Sequence, residues 1–530
     1  MKRDDVSFSP PHVGGEDMGR TINGLNVRGE DRYVFLPIFS AIMLGLTRLV
    51  FSFDMLVFVA FVPLFYYFEH ISSLNLRTKT VFFHGLIFST VFLVISLHWI
   101  SLVTVPGFIG ILVLFGVVLG GMFLLVRAMY KVFTFGLIFA WLTFEFATNF
   151  TEFSFPWLSI AYGLKNSLSF LQILEIGGIP FLSFLILAVN YLFYLAISGK
   201  KRFYIIAFST LLLWFIAGNV RLNHVQKNME RKDLTISLIQ GNIEQDIKWE
   251  DDMLDTTFTI YEELSKETVE RYAPNLIVFP ESALPVYLLI WREYLLQLME
   301  LVLEIDTPIF TGFPHAETGN RHKGQLDSYL YFNAARLFSP DGFTGENYYK
   351  NILVPFGERF PFLSMFPILW KLDFGQANFE RGESSVSYEV KDYTFSPLIC
   401  FEIVFPLHLK KVFKEHKPDF WVNITNDAWF HRSIGTHQHA VMAVFRAIET
   451  RTSVFRVANT GYSFFTTPNG EIHQMTELFE RTSVTGNLFT YKGITPFLSW
   501  GYMIPFLFLT FFALQIIGVL IFSFTRKRIW

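Results

Sequence analysis

Three polar residues in the second half of the chain carry side chains that together could perform acyl transfer. Glu281 follows the apolar run LIVFP, Lys350 lies in YYKNILVPFGER, and Cys400 ends the run FSPLIC. A cysteine nucleophile needs a base that takes its proton, and the tetrahedral intermediate of acyl transfer needs a cation or an N–H donor for its oxyanion. A carboxylate, an ammonium and a thiol meet these needs together, whereas each of them alone carries little information.

Cys400 is the only cysteine in the 530 residues of the chain. It has no partner for an intramolecular disulfide, and the residue type alone leaves two interpretations open. The thiol is either a buried, inert side chain or a nucleophile kept for its reactivity. Non-catalytic interpretations also exist for Glu281 and Lys350. A glutamate after a strand is commonly a solvated cap, and a lysine in a loop is commonly a surface charge.

The three positions belong to a stretch in which strand-like and helical patterns alternate. Runs of β-branched and aromatic residues predict strands over 234–242, 275–282, 307–314, 329–338, 419–427 and 453–461. The clearest helical patterns cover 255–273 and 436–451. This alternation predicts an α/β domain, whose strand ends can present the carboxylate, the ammonium and the thiol at one cleft.

The composition of the whole chain indicates an integral membrane protein. Hydrophobic residues make up 52% of it, 63 residues are Phe, and only 17% are charged, whereas soluble domains contain about 25% charged residues. Eight apolar stretches approach the ~20 residues that a helix needs to cross a bilayer. They cover roughly 33–50, 52–68, 81–99, 105–126, 132–150, 170–197, 203–220 and 497–524. The net charge of −3 gives no reason to expect a nucleic-acid partner.

Basic residues predict the orientation of these spans. They follow the second, fourth, sixth and eighth spans, at Arg77 and Lys79, Arg127 and Lys131, 200–202 and 526–528. Clusters in alternate connections place both termini in the cytoplasm, so the polar stretch between the seventh and eighth spans lies on the extracytoplasmic side. We therefore predict a disordered cytoplasmic tail (1–32), a seven-span membrane domain (33–221), an extracytoplasmic α/β domain (222–494), and a last transmembrane helix with a basic cytoplasmic end (495–530).

Short sequence words surround the three candidate residues in a fixed order. FPES, KNILVPFGERFP, ICFEIVFP and NITNDAWF, followed by VANTG, resemble the carbon–nitrogen hydrolase, or nitrilase, superfamily. With QGNIEQDIKW at 240–249, seven preceding spans and one following span, the chain is similar to the apolipoprotein N-acyltransferase family. The resemblance covers essentially residues 33–524, including FPWLSIAYG at 155–163.

The resemblance implies a fold, a set of site residues and a reaction. The α/β domain is expected to be a nitrilase-type αββα sandwich with a catalytic triad of Glu281, Lys350 and Cys400. Supporting or substrate-binding roles are expected for Glu358, Phe401, Glu402, Trp249 and Trp429. In the implied ping-pong reaction, a phospholipid acylates the cysteine, and the acyl chain then passes to the N-terminal amine of a diacylated apolipoprotein, the last step of bacterial lipoprotein maturation.

The same resemblance implies surroundings and partners. The protein is expected in the bacterial inner membrane with its catalytic domain on the periplasmic side, and no metal or organic cofactor is required. The expected partners are the membrane, the phospholipid donor and the apolipoprotein acceptor. Because a membrane anchor flanks the catalytic domain at both ends, we expect a monomer.

The sequence departs in three places from what the family commonly shows. Phe401 stands where a tyrosine commonly follows the nucleophile, which removes a hydroxyl but keeps the backbone N–H that we expect to hold the oxyanion. KNILVPFGER lacks a histidine and a tyrosine of the usual word. Thr148 replaces an arginine that often follows the intramembrane glutamate, here Glu145, and that carboxylate is either functional or merely within reach of water.

Several alternatives stay open at this point. The triad also fits a membrane-tethered amidase that hydrolyses its thioester with water, and a transporter or scaffold with an inactive nitrilase domain belongs to a different class. The apolar segment 354–370 is either a lid that dips into lipid or part of the domain's own core. Trp157 either lines the substrate entrance or anchors the chain at the membrane interface, and Trp429 either shapes the pocket or packs.

Overall fold

The computed structural model describes residues 31–50, 53–74, 76–245, 248, 251–319, 329–363 and 378–527. Most of the predicted tail over 1–32 lies outside these residues. The first part of the described chain is almost entirely helical. Its helices are α1 (Phe35–Leu46), α2 (Val62–Ser73), α3 (Thr78–Leu97), α4 (Ile100–Val103), α5 (Val105–Tyr130), α6 (Gly136–Ala147), α7 (Leu168–Leu171), α8 (Leu174–Ile197) and α9 (Arg202–Asn228).

Six segments of the described chain are long and apolar enough to cross a membrane. They are Asp54–Ser73, Thr78–Leu97, Val105–Tyr130, Leu174–Ile197, Arg202–Asn228 and Gly501–Thr525. The first and fifth predicted spans correspond to α1 and α6, which have 12 residues each. A helix of that length rises only about 18 Å, less than the ~30 Å hydrocarbon core. The chain is therefore a multi-pass membrane protein, and the number of eight spans stays a prediction.

The α/β domain begins immediately after α9. Its strands are β1 (Glu230–Gln240), β2 (Leu276–Val278), β3 (Ile309–Thr318), β4 (Tyr329–Ser339), β5 (Gly342–Tyr349), β6 (Tyr388–Val390), β7 (Tyr393–Ile399), β8 (Phe420–Thr425), β9 (Ser453–Ala458), β10 (Phe464–Thr466), β11 (Ile472–His473) and β12 (Thr482–Thr490). Its helices are α10 (Asp251–Tyr272), α11 (Arg292–Ile305), α12 (Pro406–His416) and α13 (Ile434–Thr450). The short α14 (Pro496–Ser499) then leads into the membrane helix α15 (Ile504–Lys527). The predicted strands and helices of this domain are confirmed.

The strands form two six-stranded sheets with the orders β12-β1-β2-β3-β4-β5 and β11-β10-β9-β8-β7-β6. Parallel pairing runs through β1, β2 and β3 in the first sheet and through β7, β8 and β9 in the second. All six residues of β8, FWVNIT, are buried, as expected for a parallel strand that is covered on both faces.

Three apolar clusters place the layers relative to one another. Leu238 and Phe310 of the first sheet share a core with Phe420 and Phe455 of the second. Helices α10 and α11 cover the outer face of the first sheet, and α12 and α13 cover the second. The domain is thus an αββα sandwich, as the sequence resemblance implied.

The helix α13 is buried on both of its sides. Its residues share one apolar cluster with the second sheet and with the membrane helices, so the catalytic domain rests on the membrane domain through this helix. The bend in α8 at Gly178, where φ is 63°, belongs to this junction. A Cβ at Gly178 would lie 2.7 Å from the Phe497 ring and 3.1 Å from the Glu449 carboxylate, so only glycine fits.

Candidate active site

The three candidate residues lie at strand ends, as predicted. Glu281 lies three residues beyond β2, Lys350 directly follows β5, and Cys400 directly follows β7. The first two belong to the first sheet and the third to the second sheet. The site is therefore formed between the two sheets of the sandwich.

Lys350 joins two carboxylates in a buried cluster. Its Nζ donates to Glu281 Oε1 at 3.1 Å and to Glu358 Oε1 at 2.8 Å. Asn333 of β4 donates through Nδ2 to the same two oxygens, at 2.7 and 3.0 Å. Burial alone lowers the pKa of Lys350, but the charges of Glu281 and Glu358 outweigh burial and raise it well above its usual value. Lys350 is therefore a fixed cation at neutral pH.

The two carboxylates are held from their other sides as well. The backbone N–H of Asn426, just after β8, donates to Glu281 Oε2 at 2.9 Å. The N–H of Val354 donates to Glu358 Oε2 at 2.8 Å. Each carboxylate is thus fixed through both of its oxygens, and the structure brings Glu358 together with Glu281 and Lys350.

Cys400 has an unusual backbone conformation and a perturbed thiol. Its φ is +49°, in the left-handed region that is uncommon for a residue with a side chain. Burial raises the pKa of the Cys400 thiol well above its ordinary value, and the negative charge of Glu281 acts in the same direction, while the charge of Lys350 opposes both. The resting thiol is therefore protonated, and a base must remove the proton as the sulfur attacks.

Glu402 ties the loop that contains Cys400 to the segment after Lys350. Its Oε2 accepts from the Ile399 N–H and from the Tyr348 hydroxyl, both at 2.7 Å. Its Oε1 accepts from the Asn351 N–H at 2.6 Å. Since Glu402 is fully buried and these contacts occupy both of its oxygens, it is placed to position the two loops relative to each other.

A second buried charge cluster lies behind Cys400 and was not predicted from the sequence. Asp427 accepts from Arg456 Nη2 at 2.7 Å, and His439 Nδ1 lies 2.9 Å from its other oxygen. The other ring nitrogen of His439 lies 3.3 Å from the Cys400 carbonyl oxygen. Burial raises the pKa of Asp427, but the Arg456 and His439 contacts outweigh burial and lower it to about 2.

The ring of Phe401 packs against the membrane domain. It stacks with Phe155 and Trp157 at centroid distances of 6.4 Å each. Trp157 is only 1% exposed, and this burial excludes the interpretation of Trp157 as an anchor at the membrane interface. The segment 155–163 (FPWLSIAYG), called the PWL segment below, therefore packs directly beside the loop that contains Cys400.

The structure describes Trp429 and part of the apolar segment 354–370, but not Trp249. Trp429 is 37% exposed, so it is not a core residue, and Trp249 lies outside the described residues. Within 354–370 only 354–363 are described, and there Phe362 packs on Phe153 of the membrane domain at 5.1 Å. Its backbone N–H also donates to the Glu152 carboxylate. This end of the segment therefore contacts the membrane domain.

No group of three or more His, Cys, Asp and Glu side chains in the described part of the chain is arranged to hold a metal ion.

Comparison with known proteins assigns the chain to a family. Residues 40–192 match the model of the apolipoprotein N-acyltransferase N-terminal domain, and 235–488 match that of the carbon–nitrogen hydrolases. The apolipoprotein N-acyltransferase of Geobacter metallireducens is 34% identical over 357 residues, which cover 66% of this chain and 67% of the relative. This chain belongs to the apolipoprotein N-acyltransferase family.

Other relatives agree with this assignment. The apolipoprotein N-acyltransferase of Haemophilus influenzae is 30% identical over 371 residues, or 68% of this chain and 70% of the relative. The apolipoprotein N-acyltransferase of Chlorobaculum tepidum is 28% identical over 531 residues, which cover 93% of this chain and 97% of the relative. Among solved structures, Nit3 of Saccharomyces cerevisiae, a member of branch 10 of the nitrilase superfamily, is 14% identical and covers 49% of this chain and 90% of its own, with a TM-score of 0.36.

The structure shows what surrounds Glu145, next to the position where the family often has an arginine. Glu145 accepts from Trp141 Nε1 at 2.7 Å and from the Ile160 N–H at 2.8 Å. The hydroxyls of Ser183 and Ser159 donate to its other oxygen at 2.7 and 2.9 Å. These four donors satisfy the carboxylate although residue 148 is a threonine, and Glu145 ties α6 and α8 to the PWL segment.

Three residues of the site that were not predicted stand out in the sequence as polar residues in apolar surroundings. Asn333 is a lone amide in the apolar strand YLYFNAARLF, and His439 and Arg456 are polar residues within otherwise apolar stretches. A polar side chain in a buried element must find a partner. Its partner lies on a different segment of the chain in each case, so the sequence alone does not identify it.

Proposed function

We propose that this chain transfers an acyl chain from a membrane phospholipid to the N-terminal amine of S-diacylglyceryl-cysteine in apolipoproteins. The buried contact of Lys350 with Glu281, beside the thiol of Cys400 in a multi-pass membrane protein, is the observation that carries the proposal. Membership in the apolipoprotein N-acyltransferase family supports the same substrate classes.

In the first half-reaction, Glu281 takes the proton of the Cys400 thiol while the sulfur attacks an ester carbonyl of the phospholipid. The C–S bond forms, and the negative charge moves to the carbonyl oxygen. Lys350 and the backbone N–H of Phe401 stabilise this oxyanion. The intermediate then collapses, Glu281 returns its proton to the leaving alkoxide, and a lysophospholipid departs from the thioester.

In the second half-reaction, the amine of the apolipoprotein attacks the thioester carbonyl. Glu281 accepts a proton from the amine, the C–N bond forms, and the C–S bond breaks to release the sulfur. The proton returns to sulfur and restores the thiol. Each half-reaction passes through its own oxyanion, and the loss of one oxyanion donor costs about 3–4 kcal/mol of barrier.

The position of the catalytic domain follows from the same proposal. Eight spans over 33–221 and 495–530, with both termini in the cytoplasm, place residues 222–494 on the periplasmic side of the inner membrane. The protein acts as a monomer, with Glu358 and Glu402 supporting the triad. The contact of Phe362 with Phe153 supports a substrate entrance between the domains, to which Trp429 also contributes, and Trp249 keeps the supporting role that the resemblance implies.

A membrane-tethered amidase is the competing function, because the same triad can pass the acyl group to water. The test is purified protein in micelles with an alkyne-tagged phospholipid, with and without a diacylated lipopeptide. A tagged lipopeptide of triacylated mass is the expected product. Release of free tagged fatty acid at the same rate with and without lipopeptide would favour the amidase, and no turnover at all would favour the inactive scaffold.

A further inference from the structure

An apolar cleft lies where three membrane helices meet the catalytic domain. It is formed by the end of α6, the bend of α8, the start of the last span and the start of α12. The side chains that line it include Phe146, Ile179, Leu407, Phe497 and Tyr502. The triad residues, all three of which the structure describes, do not line this cleft. The mechanism proposed above therefore gives the cleft no role.

One face of α12 carries two lysines beside this cleft. Leu407, Lys410 and Lys414 follow one another at spacings of three and four residues, which places them on the same face of a helix. Leu407 lines the cleft, and the ammonium of Lys410 lies over the ring of Tyr502, which lines it as well. Tyr502 is the second residue of the span Gly501–Thr525. This face of α12 therefore lies at the level where the membrane begins.

The two lysines carry positive charge that no carboxylate neutralises. Neither Lys410 nor Lys414 forms an ion pair within the described part of the chain. Glu415, the one acidic residue of α12, accepts a hydrogen bond from the Ser385 hydroxyl instead. Like charges four residues apart on a helix repel each other. Burial and the charge of Lys414 together lower the pKa of Lys410 to about 8, so a bound anion would stabilise both ammonium groups.

We propose that an anionic phospholipid of the surrounding bilayer binds here, with its headgroup on Lys410 and Lys414 and an acyl chain in the cleft. Lysines near a membrane surface attract anionic headgroups, and the cleft offers apolar surface to a chain. A free phosphate matches the lysines but not the cleft, so an amphiphile fits the whole site better. This lipid is a bound ligand and not the acyl donor, because the cleft is separate from the triad.

The bound lipid joins the two domains. Both lysines belong to the catalytic domain, whereas α6, α8 and the last span of the membrane domain supply much of the cleft. The complete site exists only when the two domains are docked. A ligand that binds the folded state alone stabilises it, so binding of this lipid is expected to raise Tm.

The test measures lipid binding to the full-length chain with the change Cys400→Ser, so that the lipid does not enter the proposed reaction. Protein in a neutral detergent is titrated with dioleoyl phosphatidylglycerol, with dioleoyl phosphatidylcholine, or with glycerophosphoglycerol, the headgroup without chains. Native mass spectrometry counts the bound molecules, and Tm is recorded for each. Phosphatidylglycerol is expected to bind at least about fivefold more tightly than phosphatidylcholine and to raise Tm. Glycerophosphoglycerol is expected to leave Tm unchanged.

Single lysine changes in the same background locate the site. Lys410→Gln and Lys414→Gln are each expected to weaken phosphatidylglycerol binding about fivefold, the contribution of one lysine near an anionic lipid surface. Each is also expected to reduce the rise in Tm that this lipid causes. The matched control is Lys411→Gln, which removes the same charge from the same helix. Lys411 is turned by about 100° from Lys410 around the helix axis, so this variant is expected to bind the lipid as its parent does.

Three results overturn the inference while the proposed function stands. Equal weakening by all three lysine changes shows attraction to net charge and not a site. Equal affinity of the parent for phosphatidylglycerol and phosphatidylcholine removes the role of the lysines. A rise in Tm with glycerophosphoglycerol as large as that with the lipid shows an adventitious ion only. The proposed function is tested by the formation of triacylated lipopeptide, which this binding measurement does not use, so either can fail without the other.

Discussion

Trp157 and Gln438 join the membrane domain to the catalytic domain, because the indole Nε1 of Trp157 donates to Oε1 of Gln438 at 2.8 Å. The same oxygen accepts from Trp99 Nε1 at 3.2 Å. The amide nitrogen of Gln438 donates to the carbonyls of Arg48 and Ser96 at 3.1 and 3.0 Å. One side chain of α13 therefore makes four hydrogen bonds to the membrane domain.

This junction lies directly beside the nucleophile. The residue after Gln438 is His439, whose ring lies against the Cys400 carbonyl, and Trp157 stacks with Phe401, the residue after Cys400. The position of Cys400 relative to the membrane helices is thus set by contacts of His439 and Phe401, the residues that follow Gln438 and Cys400 in the sequence.

Gln438→Leu is expected to uncouple the catalytic domain from the membrane. The change leaves two indole N–H groups and two carbonyls buried without a partner, at about 1–3 kcal/mol for each unsatisfied group. Tm is expected to fall, and turnover with bilayer phospholipid is expected to fall more than acylation of Cys400 by a short water-soluble thioester. Both rates and Tm are measured on one purified variant.

Gln172→Leu is the matched control for this prediction. Gln172 also bridges the domains, through Nε2 to the Asn469 carbonyl at 3.0 Å, but within the described part of the chain its hydrogen bonds go to Leu168 and Asn469 and not to the PWL segment or α13. It is expected to lower Tm modestly and to leave the ratio of the two rates unchanged. If the ratio of the phospholipid rate to the short-thioester rate changed equally in both variants, a specific role of Gln438 would be contradicted.

Glu281→Gln and Lys350→Ala are expected to differ in kind. The first removes the base and blocks thioester formation, while the cluster keeps its hydrogen-bond geometry. The second slows both half-reactions by about 100- to 1000-fold, because each has its own oxyanion. It also leaves Glu281 and Glu358 buried without their cation, which costs about 3–5 kcal/mol of stability. Single-turnover rates for each half-reaction and Tm test this, and thioester formation at the wild-type rate in Lys350→Ala would refute its role.

Glu449 is expected to make stability depend on pH. Burial raises its pKa from 4.5 to about 7, so the folded state binds its proton more tightly than the unfolded state. The resulting stabilisation is complete below pH 4.5 and is lost as the pH rises through about 7. A shift of this size corresponds to about 3 kcal/mol. Glu449→Gln is expected to flatten the fall of Tm between pH 5 and 8, and an unchanged slope would contradict the assignment.

Local sequence patterns were sufficient to predict the strands and helices of the α/β domain and the positions of part of the site. Glu281 and Cys400 follow apolar runs that end buried parallel strands, so a reader of the sequence can place them at strand ends. The resemblance to a family then supplied Glu358 and Glu402. The contacts of His439 and Gln438 were not predictable, because their partners come from other segments of the chain.

Span length was the other point that the sequence pattern did not resolve. The fifth apolar stretch was predicted at about 19 residues, but helix α6 ends at Ala147. There the carboxylate of Glu145 collects donors from α8 and the PWL segment. The apolar stretch 132–150 therefore extends four residues before the helix and three residues beyond it, a difference that hydropathy does not detect.

Cysteine accessibility tests the predicted topology. In a Cys400→Ser background the chain has no other thiol, so single cysteines introduced near residues 230 and 490 and in 1–30 report their own side of the membrane. Labelling by an impermeant maleimide in intact cells is expected near 230 and 490 and not in 1–30. Labelling of residues 1–30 from outside the cell would contradict the predicted orientation.

The central claim is that Cys400 carries the acyl group between the two lipids. It is tested most directly by the intact mass of the purified enzyme after mixing with one phospholipid species, followed by addition of a diacylated lipopeptide. The account predicts an adduct of one acyl chain on Cys400 that the lipopeptide discharges within a turnover time. Cys400→Ser is predicted to form no adduct and to remain folded. Triacylated product without an adduct on the wild-type enzyme, or near-normal turnover by Cys400→Ser, would contradict the account.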